Sequence, residues 1–421
     1  MSDGQNFELP GKKQKFHKMI DVKKQVLSLK GVVQHYAWGG FDYLPELLGV
    51  ENKERQPFAE LWMGDHHRGP AMVQANGQAR PLDELLEEHP AWLGAEVRKA
   101  FDGRLPYLFK VLDVRQMLSI QSHPTKAQAE AGFRRENELG IPLDAPHRNF
   151  KDDNHKPEVM VALTEFWLLH GFKNEQALMR CLQEVPEFSS LLSVFADRSI
   201  FQLYKAVMEM PQPEIDRLLQ PMEQRLRPLA EAGKLDKSQP EYWAMQAFDN
   251  HMLDGGHYDR GVFSIFFFNL VKVNPGEGIY QGAGIPHAYL EGVNVELMAN
   301  SDNVFRGGLT VKHVDVPQLL SHLVFDPVDP KILKGEPISE VEWVYPTPAP
   351  DFQLNRIRLS SGQVYRPEES RGAEIVIVTR GKVTAPDGAS FSRGEAFFVP
   401  AGQAYVVQGQ EPSELFKALV P

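Results

Sequence analysis

The chain has 421 residues, a net charge of -11 and a single cysteine, Cys181. That length leaves room for two or three domains, and one thiol excludes any intrachain disulfide. The acidic balance repels nucleic-acid phosphates, and no basic run with interleaved aromatics offsets it.

Residues 1–28 read as an N-terminal arm or short helix, polar and lysine-dotted over Met1 to Ile20 with no apolar core of a leader. The longest strongly apolar stretch, Val262 to Phe268, is far too short to span a bilayer, so a cytoplasmic protein is expected. From Leu29 to Leu169, short apolar segments alternate with Gly-, Pro- and Asn-rich turns, the texture of an antiparallel β-protein. One helical patch, Lys126 to Leu139, interrupts it. Residues 174 to 259 change character. Leu178, Leu182 and Val185, then Ile215, Leu218, Leu219, Met222 and Leu226, recur at helical spacing, and Pro211, Pro213, Pro221 and Pro240 are expected to divide them into short helices.

Strand texture resumes at Val262. The Pro-rich stretch from Pro327 to Pro350 reads as a passage between two β-units. A faint repeat supports that division: Gly276 to Tyr280 followed by Gly284 to Tyr289 is echoed by Gly394 to Phe398 followed by Ala401 to Tyr405. Gln403 stands where His287 stands in the first copy, so the last unit is expected to lack a metal ligand.

Three segments could carry chemistry. In Ser119-Ile120-Gln121-Ser122-His123-Pro124, strand alternation puts Ser119, Gln121 and His123 on one polar face, as a solvent-facing edge strand would also do. In Asp153-Asn154-His155-Lys156-Pro157-Glu158, Glu158 enters a strand after a proline-fixed turn, and a solvated charged turn is the plainer alternative. Between Gly284 and Lys312 lie His287, with little backbone freedom, then Tyr289, Glu296, a polar stretch Asn300 to Asn303, Arg306 and Lys312.

Seven ordered motifs carry a resemblance to a known family. They are Tyr36-Ala37-Trp38-Gly39, Glu60-Leu61-Trp62-Met63-Gly64, Leu108-Phe109-Lys110-Val111-Leu112, Ser119 to Pro124, Asn154 to Glu158, Ile285 to Tyr289 and Asn300 to Lys312. In these the sequence resembles the type I phosphomannose isomerases, closely over Leu29 to Leu169 and Phe263 to His322 and in outline elsewhere. The resemblance implies a mainly β chain with an α insertion: cupin-type double-stranded β-helix (jelly-roll) domains plus a helical domain. The corresponding division is 29–172 with 260–326 as catalytic domain, 173–259 as helical insertion and 327–421 as a C-terminal cupin-like domain without metal ligands.

It also implies an aldose-ketose isomerase acting on mannose 6-phosphate and fructose 6-phosphate through an enediol. Gln121, His123, Glu158 and His287 take the zinc-ligand positions, one metal per chain. Two imidazoles, a carboxylate and an amide oxygen suit zinc, and would also take manganese, iron or cobalt. Arg306, Glu296 and Lys156 are the expected catalytic residues, with Lys110, Ser119, Lys312, Trp38 and Tyr289 around the substrate. For the general base, Glu296 leads, with a metal-bound water or His155 as alternatives. Lys110, in an otherwise apolar strand, requires a compensating anion unless it snorkels at an edge. The Asp65-His66-His67-Arg68 stretch departs from the Thr-His-Pro-like turn usual in that family, and the lead-in before Leu29 is longer than usual. Two rival readings remain at this level: a cupin oxygenase with iron held by two histidines and a carboxylate, and a non-catalytic sugar-phosphate sensor.

Overall fold

The computed structural model describes residues 26–421, so most of the expected N-terminal arm lies outside the described residues. Two large antiparallel sheets organise the rest. One has ten strands, with the path 268–273, 166–172, 287–299, 107–114, 60–63 and 32–34; strands 158–162 and 278–281 and the short pieces 121–122 and 305–306 pair beside it. The other has nine strands, and a third sheet of four strands, 364–365, 407–409, 382–384 and 390–392, accompanies it. The molecule is therefore mainly β with several helices. None of the described helices is long and apolar enough to cross a membrane.

Strand His287–Ala299 is the centre of the ten-stranded sheet. It pairs with Tyr107–Val114 over eight positions, with Glu158–Ala162 on its other side, and with Phe166–Phe172 and Gln121 at its start. Its burial is continuous except at Glu291 and Gly292, because neighbours cover both faces. Alternation of side chains along it, offset at the register shift between Tyr289 and Glu291, then aims His287 and the later Glu296 at a common interior built by its partners.

The nine-stranded sheet does not respect the expected ranges. Leu27–Lys30 pairs with Ala396–Val399, and Met72–Ala75 and Gln78–Pro81 extend that sheet beyond it. Residues 27–28, assigned to the arm, and 72–81, assigned to the first β-unit, thus hydrogen-bond into the sheet of the last one. Their alternating pattern specifies a strand but not its partner. Glu336–Pro337 and Glu342–Tyr345, inside the Pro-rich passage, are strands of the same sheet.

Helices gather between 175 and 267, as spacing predicts up to residue 259. Pro211 caps and Pro213 and Pro240 open helices, but Pro221 lies inside the twenty-residue helix Gln212–Glu231 instead of ending it. A lost hydrogen bond there is outweighed by the buried stripe Ile215, Leu218, Leu219, Met222 and Leu226. Residues Gly261–Phe267, expected as strand, form a helix buried on every side, an ambiguity that a short apolar run cannot resolve by periodicity. The Asp259 carboxylate accepts from Gly261 N at its start. Helix Lys126–Glu138 matches its expected patch and opens with a capping box between Thr125 and Gln128.

Candidate metal centre and substrate cleft

Glu158, the first residue of its strand, reaches between two imidazoles. Its carboxylate oxygens lie 3.4 Å from His123 Nε2 and 3.3 Å from His287 Nε2, and all three side chains are buried. Each imidazole is oriented by the backbone: His123 Nδ1 donates to Asn303 O at 2.7 Å and His287 Nδ1 to Ile285 O at 2.9 Å. Both rings therefore turn Nε2 inward, and His123 Nε2 has no hydrogen-bond partner although it is fully buried. An inward-facing orphan nitrogen beside a buried carboxylate fits a divalent metal, with the Nδ1 bonds as supporting contacts. Burial pushes the His123 imidazole down to about 4, the neighbouring Lys156 adding to this, so it is neutral and able to ligate. Gln121 stands directly opposite His287 in register, so its side chain shares the same face. Its two-residue strand is paired on both sides, with 287 and with 305–306, and is not an edge.

The same cleft holds a second set of charges. Lys110 and Glu296 are cross-strand partners, and Lys110 Nζ lies 2.9 Å from Glu296 Oε1 and 3.8 Å from Glu60 Oε2. Burial penalises the ammonium, yet the Glu296 and Glu60 carboxylates outweigh that and hold its pKa above the ordinary value. Lys110 sits on a central strand and does not snorkel. Glu296 Oε2 accepts from Tyr289 Oη at 2.7 Å. Burial raises the Glu296 carboxyl, with Lys110 opposing and Glu158 adding to the rise. Lys156 Nζ lies 2.9 Å from Glu158 Oε1; burial works against the Glu158 carboxylate, but Lys156 and His123 hold it well below its usual range.

Ser119, Gln121, Lys156 and Glu158 face His287, Tyr289, Lys110 and Glu296 across this cleft, whose wall also includes Glu60. Arg306, Lys312 and Trp38 are not part of that lining. Arg306 is paired through its backbone to Gln121, half-buried, and no carboxylate among the described residues ion-pairs with it. Lys312 is exposed and likewise has no carboxylate partner among the described residues. Desolvation together with the nearby Arg306 and Arg68 cations lowers its pKa. Trp38 stacks on Tyr36, with centroids 5.9 Å apart, and packs against the apolar interior of the sheet.

Two residues gained their place only from the structure. Glu60 was part of a matched motif without a role, and the need of Lys110 for an anion was the one signal pointing to it. Asn303, in a stretch that reads as an ordinary polar loop, is fully buried; its amide donates to Asp152 O and Asn154 O, each at 2.8 Å, and accepts from Lys151 N at 2.7 Å. Through its own carbonyl it holds His123, so the two ligand segments are tied by one residue. His66, His67 and Asp302 form another cluster in the divergent stretch. There the two rings stack at 27°, and Arg68 already pairs with Asp302.

Comparison with known proteins agrees with this centre. Residues 26–175 match the family model described as phosphomannose isomerase type I, catalytic domain. The mannose-6-phosphate isomerase of Escherichia coli (strain K12) is 37% identical over 384 residues, covering 89% of this chain and 94% of that protein. The Homo sapiens enzyme is 32% identical over 425 residues, covering 93% and 97%. A crystal structure of mannose 6-phosphate isomerase from Salmonella typhimurium, bound to its substrate fructose 6-phosphate and to zinc, superposes with a TM-score of 0.84 at 32% identity, over 94% of this chain and all of that one. With the relatives matched along nearly their whole length and the buried His-Glu-His centre in hand, this chain belongs to the type I phosphomannose isomerases.

Proposed function

We propose that this chain interconverts D-mannose 6-phosphate and D-fructose 6-phosphate, with one zinc ion held by His123, Glu158, His287 and Gln121. The observation that carries this reading is the cluster of three buried ligands, their imidazole Nε2 atoms turned inward, of which Glu158 and His287 line the same cleft as the Lys110–Glu296–Tyr289 chain. The Salmonella enzyme of the same family, crystallised with fructose 6-phosphate and zinc, supports it.

A bound zinc supplies Lewis-acid polarisation of the sugar's carbonyl or hydroxyl oxygens. The chain supplies the rest. Glu296 takes the proton from carbon 2 and returns it to carbon 1 while the hydroxyl proton of oxygen 2 passes to oxygen 1, and its raised pKa brings a carboxylate closer to working pH, where a general base is most effective. Both of its oxygens are occupied by Lys110 and Tyr289, so one of those bonds yields when substrate enters. Lys156 and Ser119 contact the sugar oxygens. The substrate phosphate is read by Arg306 and Lys312, which no carboxylate neutralises among the described residues. Arg306 also stabilises the enediolate. Trp38 serves as an outer wall.

We read the sheets as cupin-type jelly rolls, with 173–259 as a helical insertion and 327–421 as a unit without ligands; the side chain of Gln403, at the place corresponding to His287, donates to the carbonyl of the adjacent Ala404 at 3.0 Å. A cytoplasmic setting and a sugar phosphate as partner go with this reading. The test is conversion of mannose 6-phosphate to fructose 6-phosphate by purified protein, before and after chelation and zinc restoration. Activity should vanish with chelator and return with zinc. A folded, zinc-loaded protein without turnover would sink the isomerase reading.

A further inference from the structure

Among the described residues, no metal-ligating cluster lies beyond residue 326, yet that part of the chain grips the segment that delivers Glu158. His155 Nε2 donates to the Asp351 carboxylate, 2.8 Å from Oδ2 and 3.0 Å from Oδ1. Asp351 is only 2% exposed and lies two residues before strand Gln353–Leu359. That strand is paired over its whole length with Ser413–Leu419 and on its other side with Glu342–Tyr345. The carboxylate is thus anchored next to the start of a strand that is paired on both sides.

The chain between His155 and Glu158 transmits this anchor. Pro157 restricts the backbone, and Lys156 Nζ lies 2.9 Å from Glu158 Oε1. One residue upstream, Asn154 O accepts from Asn303 Nδ2 at 2.8 Å and Ser301 Oγ at 3.2 Å. Asn303 in turn holds His123. A shift of His155 therefore cannot be absorbed locally; it moves Lys156 and the ligand carboxylate. Among the described residues, Asp351 is the one residue beyond 326 that hydrogen-bonds or ion-pairs with 151–158.

We propose that Asp351 and His155 are positioning residues for the metal centre, and that the ligand-free last unit acts as a brace holding the Glu158 segment in ligating geometry. This rests on the metal-centre reading. Metal ligands lose affinity when the groups that orient them are removed, because the carboxylate and imidazoles must then be ordered by the metal itself.

The experiment follows zinc release from the full-length, zinc-loaded protein into a chromogenic chelator, for wild type, Asp351→Ala, Asp351→Asn, Asp351→Leu, His155→Gln and the Asp351→Ala/His155→Gln double variant. Thermal midpoints are recorded alongside. Asp351→Ala and His155→Gln should each speed release by about tenfold, the low end of what loss of a supporting partner does. Asp351→Asn retains both the size of the side chain and an acceptor for Nε2–H and should be partly rescued, whereas Asp351→Leu, of similar size without an acceptor, should release zinc as fast as Asp351→Ala, which mere packing would not produce. The double variant should release no faster than the faster single one. Wild-type release rates in folded Asp351→Ala would overturn the proposal, as would effects that multiply in the double variant. If Asp351→Ala does not fold, Asp351→Asn and His155→Gln carry the same readout. A wild-type chain that takes up no zinc would instead sink the metal-centre reading, and this inference with it.

Discussion

Replacing Lys110 by methionine keeps an unbranched side chain only one atom shorter and removes its charge, so it isolates what the ammonium does inside the sheet. At an effective dielectric of about 20, an ion pair at the 2.9 Å separation from Glu296 is worth about 6 kcal/mol, and one at the 3.8 Å separation from Glu60 about 4 kcal/mol. Desolvation of the ammonium consumes several kcal/mol of this, so the pair is not a net gain of that size. Deleting one partner is different, because it leaves two buried carboxylates facing each other without compensation, at a cost of about 3–5 kcal/mol. Urea unfolding of the Lys110→Met variant at neutral pH measures that loss. With Lys110 gone, the folded-state pKa of Glu296, already raised, climbs further. The folded chain then binds a proton that the unfolded chain has lost, so the variant should regain stability as pH falls toward the ordinary carboxylate range. Adding Glu296→Gln to Lys110→Met should restore part of the stability at neutral pH. A Lys110→Met protein within about 1 kcal/mol of wild type would refute the assignment of Lys110 as the counter-charge of this cleft, since surface ion pairs are worth no more than that.

Arg306→Ala should lower kcat by about 10²–10³, the loss expected when one group stabilising a transition-state charge is removed. Its thermal midpoint should stay unchanged, because no carboxylate among the described residues depends on it; a normal kcat would remove Arg306 from the chemistry. Asp65 yields a prediction in pH. Burial pushes its carboxyl up from 3.8 to about 7, while Asn300 Nδ2 donates to it at 3.0 Å. A raised folded-state pKa contributes stability that is complete below the unfolded value and is lost as pH rises through the folded one, so wild type should weaken between about pH 4 and pH 7 by at most about 1.4 kcal/mol per unit. Asp65→Asn should flatten that slope and be more stable than wild type at about pH 8; an unchanged slope in urea unfolding refutes it.

Much of the centre was legible before any coordinates. Pro157 and Pro286 announce rigid approaches to Glu158 and His287, the ordered motifs around Lys110 and Arg306 carry the resemblance to the family, and the helical patch Lys126 to Leu139 corresponds to helix Lys126–Glu138. These are local properties, set by proline geometry, side-chain period and residue type, and a chain displays them without folding. Long-range pairing is another matter. Leu27–Lys30 and Met72–Pro81 have the alternation of strands, but their partnership with the sheet of the last unit is decided by which edge is left free when the whole chain packs. The same holds for Asn303 beneath His123, Glu60 beside Lys110, and Asp351 against His155, which are separated by 180, 50 and 196 residues respectively. Residue types and local geometry therefore determined which ligand-bearing segments could meet, and His123, Glu158 and His287 do come together. Which polar groups neutralise and steady them, buried where each unpaired charge costs several kcal/mol, only the tertiary structure decided.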